Sequence, residues 1–442
     1  MLAELEAAGH SDDDLQDWAY SAFLKGCEVG SVDCVRELLA CSGRLTVDVC
    51  ADNDRAFRWA CQCGHLDIVD MLLALPTPRR VTADACSGQP FLLACEEGHT
   101  DIMKRLLELQ GGRAIDLRRL GGECFVRACR GGHVQAACLL LELGGERQVS
   151  VKSIHTAFKQ ACAGGHEAVV RELLQLQGSR RVNVHDGQEA AFRAACNSGA
   201  VGVAKLLLGL AGSQEVDVHA QRDQGFRSAC GNGNGELVQL LLDLEGPRSV
   251  NVHAMEQGAF AAACACGHAH VVRMLLALTG DRAVRMDARV EHAFLLACSA
   301  GHGGVVALLL ALQPPREAPV QGALDEALQR ACHEGHVHIV QQLLELTGAR
   351  AVDVHAGEEG ALRLSCQEGR AEVVQLLLGL EGKRAARVHL LEPCDVHMAL
   401  QDWRRPEDCV GAAASCSCCG SNSDIDTYAS WDCPPLKAML QY

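Results

Sequence analysis

Ala56-Phe57-Arg58-Trp59-Ala60-Cys61-Gln62-Cys63-Gly64-His65 decides the fold, because it recurs. Its frame is Ala-Phe-x-x-Ala-Cys-x-x-Gly-His. With the cysteine as marker, copies fall at Cys27, Cys61, Cys95, Cys129, Cys162, Cys196, Cys230, Cys264, Cys298, Cys332 and Cys366. Nine of the ten intervals are 34 residues, and Cys129 to Cys162 is 33. A fixed period of this length is the mark of a repeat solenoid, in which each unit buries its apolar face against its neighbours.

Within a copy, Phe57, Ala60 and Cys61 stand at i, i+3 and i+4, one face of a helix of about nine residues. Gly64 ends it, and a glycine holds that place in all eleven copies, from Gly30 to Gly369. The physical reason is the left-handed residue that closes a helix, which glycine adopts without strain. A second helix follows at once. Leu66, Val69, Leu72 and Leu73 form its apolar stripe, and Val337, Val340, Leu343 and Leu344 repeat it. Gly178, Gly246, Gly280, Gly348 and Gly382 read as its stops, replaced elsewhere by Pro76 and Pro78 or by Pro314 and Pro315. Linkers such as Val216-Asp217-Val218-His219 alternate apolar and polar residues, which predicts a short extended stretch before the next turn.

The rest of the chain divides around this array. Residues 1–16 are expected to be a leader or cap, with Ser11 as N-cap before Asp12-Asp13-Asp14 and Trp18 packing on the first repeat. Residues 17–391 hold the eleven repeats. Residues 392–442 are expected to carry a capping helix with Val396, Leu400 and Trp403, then a flexible tail rich in cysteine (Cys394, Cys409, Cys416, Cys418, Cys419 and Cys433).

Composition narrows the function class. The chain of 442 residues is 48% hydrophobic but only 4% aromatic, so its core is built from Leu, Val, Ala and Cys. A net charge of −16 argues against a general nucleic-acid or anionic-membrane binder, which needs clustered Lys and Arg. It gives a weak preference for basic partners. The 25 cysteines are under 6% of the chain, below the about 8–10% of a disulfide scaffold. No basic-apolar leader opens the sequence, and no apolar run reaches the ~18 residues of a membrane span. A protein of a reducing compartment, the cytoplasm or nucleus, is expected.

Two helices and an extended turn at this period resemble ankyrin repeats. The family pattern Thr-Pro-Leu-His-x-Ala-Ala-x-x-Gly-His stands here as x-Ala-Phe-x-x-Ala-Cys-x-x-Gly-His. Leu328 and Leu362 keep the family leucine, and Gly-His survives in seven copies, including Gly98-His99 and Gly335-His336. Thr-Pro is almost absent, with only Pro90 kept before Phe91. Arg58, Leu92 and Arg193 stand where the family has its first histidine. The resemblance implies an all-α helix-turn-helix solenoid of about eleven repeats with short extended turns, elongated and curved. It also implies a concave face of first helices and turn tips, and a Gly-His histidine that bonds the nearby turn.

Several motifs that suggest chemistry do not carry it. Packed helices lie about 8–10 Å apart, so ladder cysteines of adjacent repeats exceed the ~7 Å Cα limit of a disulfide and cannot share a metal ion. The same spacing excludes a ladder of metal-binding histidines. Gly231-Asn232-Gly233-Asn234-Gly235 follows a helix, not a strand, and so is no phosphate loop; His333-Glu334-Gly335-His336 is one residue short of the zinc-protease spacing. No nucleophile, base and orienting group converge, so no enzyme and no cofactor is expected. In the tail, Ser415-Cys416-Ser417-Cys418-Cys419 admits metal binding or S-acylation, and a targeting module dependent on that tail is the alternative reading.

Function is expected where the copies differ. The position two after the Phe reads Lys25, Trp59, Leu93, Arg127, Gln160, Ala194, Ser228, Ala262, Leu296, Arg330 and Leu364. In the ankyrin family this position faces the concave groove, as do the two residues after the cysteine, such as Glu96-Glu97 and Glu334. Trp59, Glu96, Glu97, Arg127, Gln160, Arg330 and Glu334 are the candidate contacts, since Trp and Arg dominate binding hot spots. The expected protein is a monomeric, non-enzymatic scaffold or adaptor that binds a protein partner.

Overall fold

A computed structural model describes residues 12–41, 46–77, 79–312 and 321–387. They form helices, short 3-10 turns and extended linkers, with no strand among them. The described residues fall into two compact units, divided after Ala220.

In the first unit, six helix pairs follow one another. They are Asp12–Val29 with Val32–Ala40, Ala51–Gln62 with Leu66–Leu73, Ala85–Glu96 with Thr100–Leu107, Leu117–Arg130 with Val134–Glu142, Val151–Gly164 with Glu167–Leu174, and Asp186–Ser198 with Val201–Leu208. The second unit holds five: Ala220–Gly231 with Gly235–Leu242, Ala254–Ala265 with Ala269–Leu276, Ala288–Ser299 with Gly303–Leu310, Gln321–Glu334 with Val337–Leu344, and Ala356–Gln367 with Ala371–Leu378. Within each unit, first helices pack on first helices and second helices on second helices. The first described helix, Asp12–Val29, runs unbroken through the first repeat, so Trp18 lies on that repeat's own helix. Ser11, Pro78, Pro314, Pro315, the expected capping helix and the cysteine-rich tail lie outside the described residues.

The core follows the recurrent frame. Every ladder cysteine and all nine Phe of the frame are buried, with Leu328 and Leu362 buried in the remaining two copies. Burial pushes the thiols of Cys162, Cys196 and Cys332 up to about 12, which makes them packing groups and not nucleophiles. In the second helices the buried set is Ile68, Val69, Leu72 and Leu73, and Ile339, Val340 and Leu343. Val69, Leu72 and Leu73 are buried as expected, while Leu66 is only half-buried and Ile68 takes its place on the buried face.

Two expectations about glycine come out differently. The inter-helix glycines behave as predicted, with φ between +65° and +84° in all eleven copies. The second set does not stop the second helices. Gly178 and Gly348 lie beyond helices that end at Leu174 and Leu344, and each opens a 3-10 turn, Gly178–Arg180 and Gly348–Arg350.

Candidate functional site

Much of what the sequence leaves unexplained is spent on joining repeats. The Gly-His histidines do not bond their own turn. Each Nε2 donates across the repeat junction to the carbonyl just past the preceding ladder cysteine. In the first unit His65 reaches Glu28 O at 2.9 Å, His99 reaches Gln62 O at 2.8 Å and His133 reaches Glu96 O at 2.8 Å. In the second unit His268, His302 and His336 reach the carbonyls of Gly231, Ala265 and Ser299 at 2.9, 3.0 and 2.9 Å. These carbonyls belong to the last turn of a first helix and have no intrahelical partner, so the histidine satisfies an orphan acceptor. Arg370, which replaces the histidine, does the same through Nε to His333 O at 2.9 Å.

A second tie lies seven residues before the ladder cysteine. Asp54, buried, accepts from the Thr82 backbone N–H at 2.9 Å and from its hydroxyl at 2.7 Å. Asp223 accepts from Asn251 N at 3.0 Å, and Gln257 from Arg285 N at 2.8 Å. Each bond spans 28 residues and pins the next linker. A third tie is made by arginines of the 3-10 turns: Arg113 donates to Leu73 O at 3.1 Å and Arg384 to Leu344 O at 2.8 Å, placing a cation at the negative end of the upstream second helix.

The turn tips hold a strained feature. In six repeats three consecutive residues are left-handed, among them Asp52-Asn53-Asp54 (φ 53°, 58°, 57°) and Gln221-Arg222-Asp223 (φ 56°, 58°, 55°). That conformation costs about 1–2 kcal/mol per non-Gly residue. An arginine three before the ladder cysteine folds back onto it. Arg58 donates through Nη2 to Asp52 O at 2.9 Å and through Nε to Asn53 O at 3.2 Å; Arg227 holds the carbonyls of Gln221 and Arg222 at 3.2 and 3.1 Å. Arg58 and Arg193 therefore hold their own turns, and Arg58 also reaches the next repeat, donating through Nη1 to Gln89 Oε1 at 2.7 Å.

With the frame assigned, the variable positions remain. Two before the ladder cysteine, Trp59, Leu93, Arg127 and Gln160 are half-buried and lie on consecutively packed first helices of the first unit. The Arg55 guanidinium sits 4.6 Å from the Trp59 ring centroid, over its face. Glu96 and Arg127 come together at 2.6 Å, with Arg130 on the other oxygen of Glu96 and Glu123 2.8 Å from Arg127. Partial burial opposes ionisation of Glu96, but Arg127 and Arg130 outweigh it and hold its carboxyl below the ordinary range. Glu97 is exposed. In the second unit Arg330 is bonded to Glu326 at 2.6 Å, and the exposed Glu334 lies 3.1 Å from His333 Nδ1. The candidate positions of the first unit thus include a charged cluster, Glu96–Arg127–Arg130–Glu123, and an aromatic-cation pair, Trp59 with Arg55. Trp59 and Gln160 stand apart from that cluster on neighbouring helices.

A family description, ankyrin repeats in three copies, matches residues 294–387. Over those residues the chain is similar to ankyrin repeats, and the described helices form a repeated helical array consistent with that family. No curated protein matches it. The ankyrin match covers the copies with Leu328 and Leu362, which keep the family leucine; the preceding copies repeat the same helix pairs on the divergent frame. Ankyrin repeats are in general protein-interaction modules, and no enzyme family is detected here. No described helix is long and apolar enough to cross a membrane.

Proposed function

We propose that this chain is a non-enzymatic ankyrin-repeat scaffold or adaptor that binds a protein partner along the exposed face of its first helices. One observation carries the reading. The recurrent Phe, Cys, Gly and His, the acid seven before the cysteine and the arginine three before it are each consumed by packing, turn or repeat-joining roles, while the half-exposed position two before the cysteine varies from Trp to Ala to Arg. Trp59, Arg127 and Arg330 are its anchors, with Glu96, Glu97, Gln160 and Glu334 around them. Net acidity favours a partner segment that carries basic residues, and the surroundings are the cytoplasm or nucleus.

The test is affinity capture with the intact chain beside Trp59→Ala, Arg127→Ala, Arg330→Ala in one variant. A partner held by the intact chain and lost by a variant of unchanged helical signal supports the reading. Equal capture by both overturns it.

A further inference from the structure

A second set of histidines, eleven residues before the ladder cysteine, is not part of the Gly-His frame. His185 in the first unit has both ring nitrogens against acceptors. Nδ1 stands 2.5 Å from Glu189 Oε1 and Nε2 stands 3.0 Å from the Ser213 carbonyl. His355 in the second unit repeats the arrangement, with Nδ1 2.5 Å from Glu359 Oε1 and Nε2 2.9 Å from the Lys383 carbonyl. Glu189 and Glu359 are 3% and 2% exposed, so each carboxylate is cut off from water; each has its histidine as short side-chain partner, and Glu189 Oε1 also accepts from the Asp217 N–H at 3.4 Å. Ser213 and Lys383 lie in the 3-10 turns that lead to the following linker, 28 residues on. We infer that His185 and His355 are proton-operated clasps between successive repeat segments, closed while the pair of ring and carboxylate keeps its second proton and loosened when it is lost.

The chemistry follows from donor counting. A backbone carbonyl only accepts, so Nε2 must donate to it. The carboxylate and Nδ1 share the remaining proton. Remove that proton and one lone pair of the ring faces either a carboxylate oxygen at 2.5 Å or a carbonyl oxygen at about 3 Å. One bond is lost and replaced by repulsion.

The charged groups facing each ring agree. At His185, the bond to Glu189 and then the Ser213 carbonyl raise the pKa above its ordinary value; Asp217 adds to this and partial burial opposes it. At His355, the Lys383 carbonyl and then Glu359 raise it, against partial burial and the nearby Arg387. A raised folded-state pKa gives stability fully present below the unfolded value, about 6.5, and lost as pH climbs through the folded value.

The same register supplies an internal contrast. His253 Nε2 donates to Asp281 O at 2.8 Å, but the residue four further on is Gln257. Its amide is occupied by the backbone of Arg285 and by Asp287, and His253 Nδ1 is buried without a protein partner. That ring needs one proton only, so the junction at 280–285 has no reason to respond.

The experiment is hydrogen exchange with mass spectrometry on the full chain at about pH 6 and about pH 8, corrected for intrinsic exchange, in wild type, Glu189→Gln and Glu359→Gln. Glutamine donates an N–H to a singly protonated ring, so it keeps the clasp closed without the second proton. Wild type should lose protection severalfold at 212–217 and 382–387 on raising the pH, while 280–285 holds. Glu189→Gln should abolish the response at 212–217 alone, and Glu359→Gln at 382–387 alone. A flat wild type overturns the inference, as does a response that survives in the matching variant. Should either variant fail to fold, imidazole nitrogen shifts of the wild-type chain decide. Two protonated nitrogens on His185 and His355 at about pH 6 that become one as pH rises support the clasp; a bare nitrogen already present at that pH overturns it.

Discussion

Replacing Gly301 by alanine separates the two jobs done at the repeat junction. Gly301 has φ +81°, and an added Cβ would stand 2.7 Å from His336 Cε1 and 3.0 Å from its Nδ1. The left-handed backbone alone costs alanine about 1–2 kcal/mol. The displaced ring would also break its bond to Ser299 O, now 2.9 Å long, and leave a carbonyl of the last helical turn without its partner, a further ~1–2 kcal/mol. The expected loss is about 2–4 kcal/mol. Gly348 is the control, because its φ is +67° but nothing lies within 4 Å of its added Cβ. Gly348→Ala should therefore cost only the backbone part, about 1–2 kcal/mol. Both can be measured by urea unfolding of the full chain, followed by circular dichroism, with His336→Ala completing a double-mutant cycle. In the His336→Ala background the cost of Gly301→Ala should fall to that of Gly348→Ala, a coupling of about 1–2 kcal/mol. Equal costs at the two glycines, or a cycle without coupling, would refute the role given to the histidine.

Two further outcomes follow from the same contacts. Asp54→Ala removes the acceptor of both Thr82 donors and should destabilise by about 1–3 kcal/mol, with exchange rising first at the linker around Thr82, whereas Asp54→Asn retains an acceptor and should cost less. Alkylation at mildly alkaline pH, read by mass spectrometry, should modify the exposed Cys86 and Cys266 well before any ladder cysteine; labelling of Cys162 or Cys332 in the folded chain would contradict the burial that raises their thiols.

The repeat, the helix pair and the inter-helix glycine are legible in the sequence because each rests on local physics. Helical periodicity places Phe57, Ala60 and Cys61 on one face, and a left-handed residue selects Gly64. The bonds between repeats are not legible, and for one cause. His65 and the other Gly-His histidines, the acid at Asp54 and the arginine at Arg113 act on residues 28 to 40 positions away, in the neighbouring copy. A single copy read alone does not show such partners. The signal was present at the offset between copies, in acids and histidines held at fixed distance from the cysteine. Gly178 and Gly348 mislead for a different reason. A positive φ closes a helix or opens a 3-10 turn, and the residue type is the same for both. Of the candidate contacts, only Glu96 and Arg127 are brought together, since neighbours at a 31-residue offset are again visible only once the helices stack.

The central claim is that partner binding belongs to the variable face of the first helices and that the second helices are frame. With a captured partner in hand, hydrogen-exchange protection along the full chain tests it most directly. The account predicts protection in first-helix peptides around Trp59, Arg127 and Arg330, with second helices such as Val337–Leu344 unchanged. Protection confined to second helices, with the first-helix peptides unaltered, would contradict it.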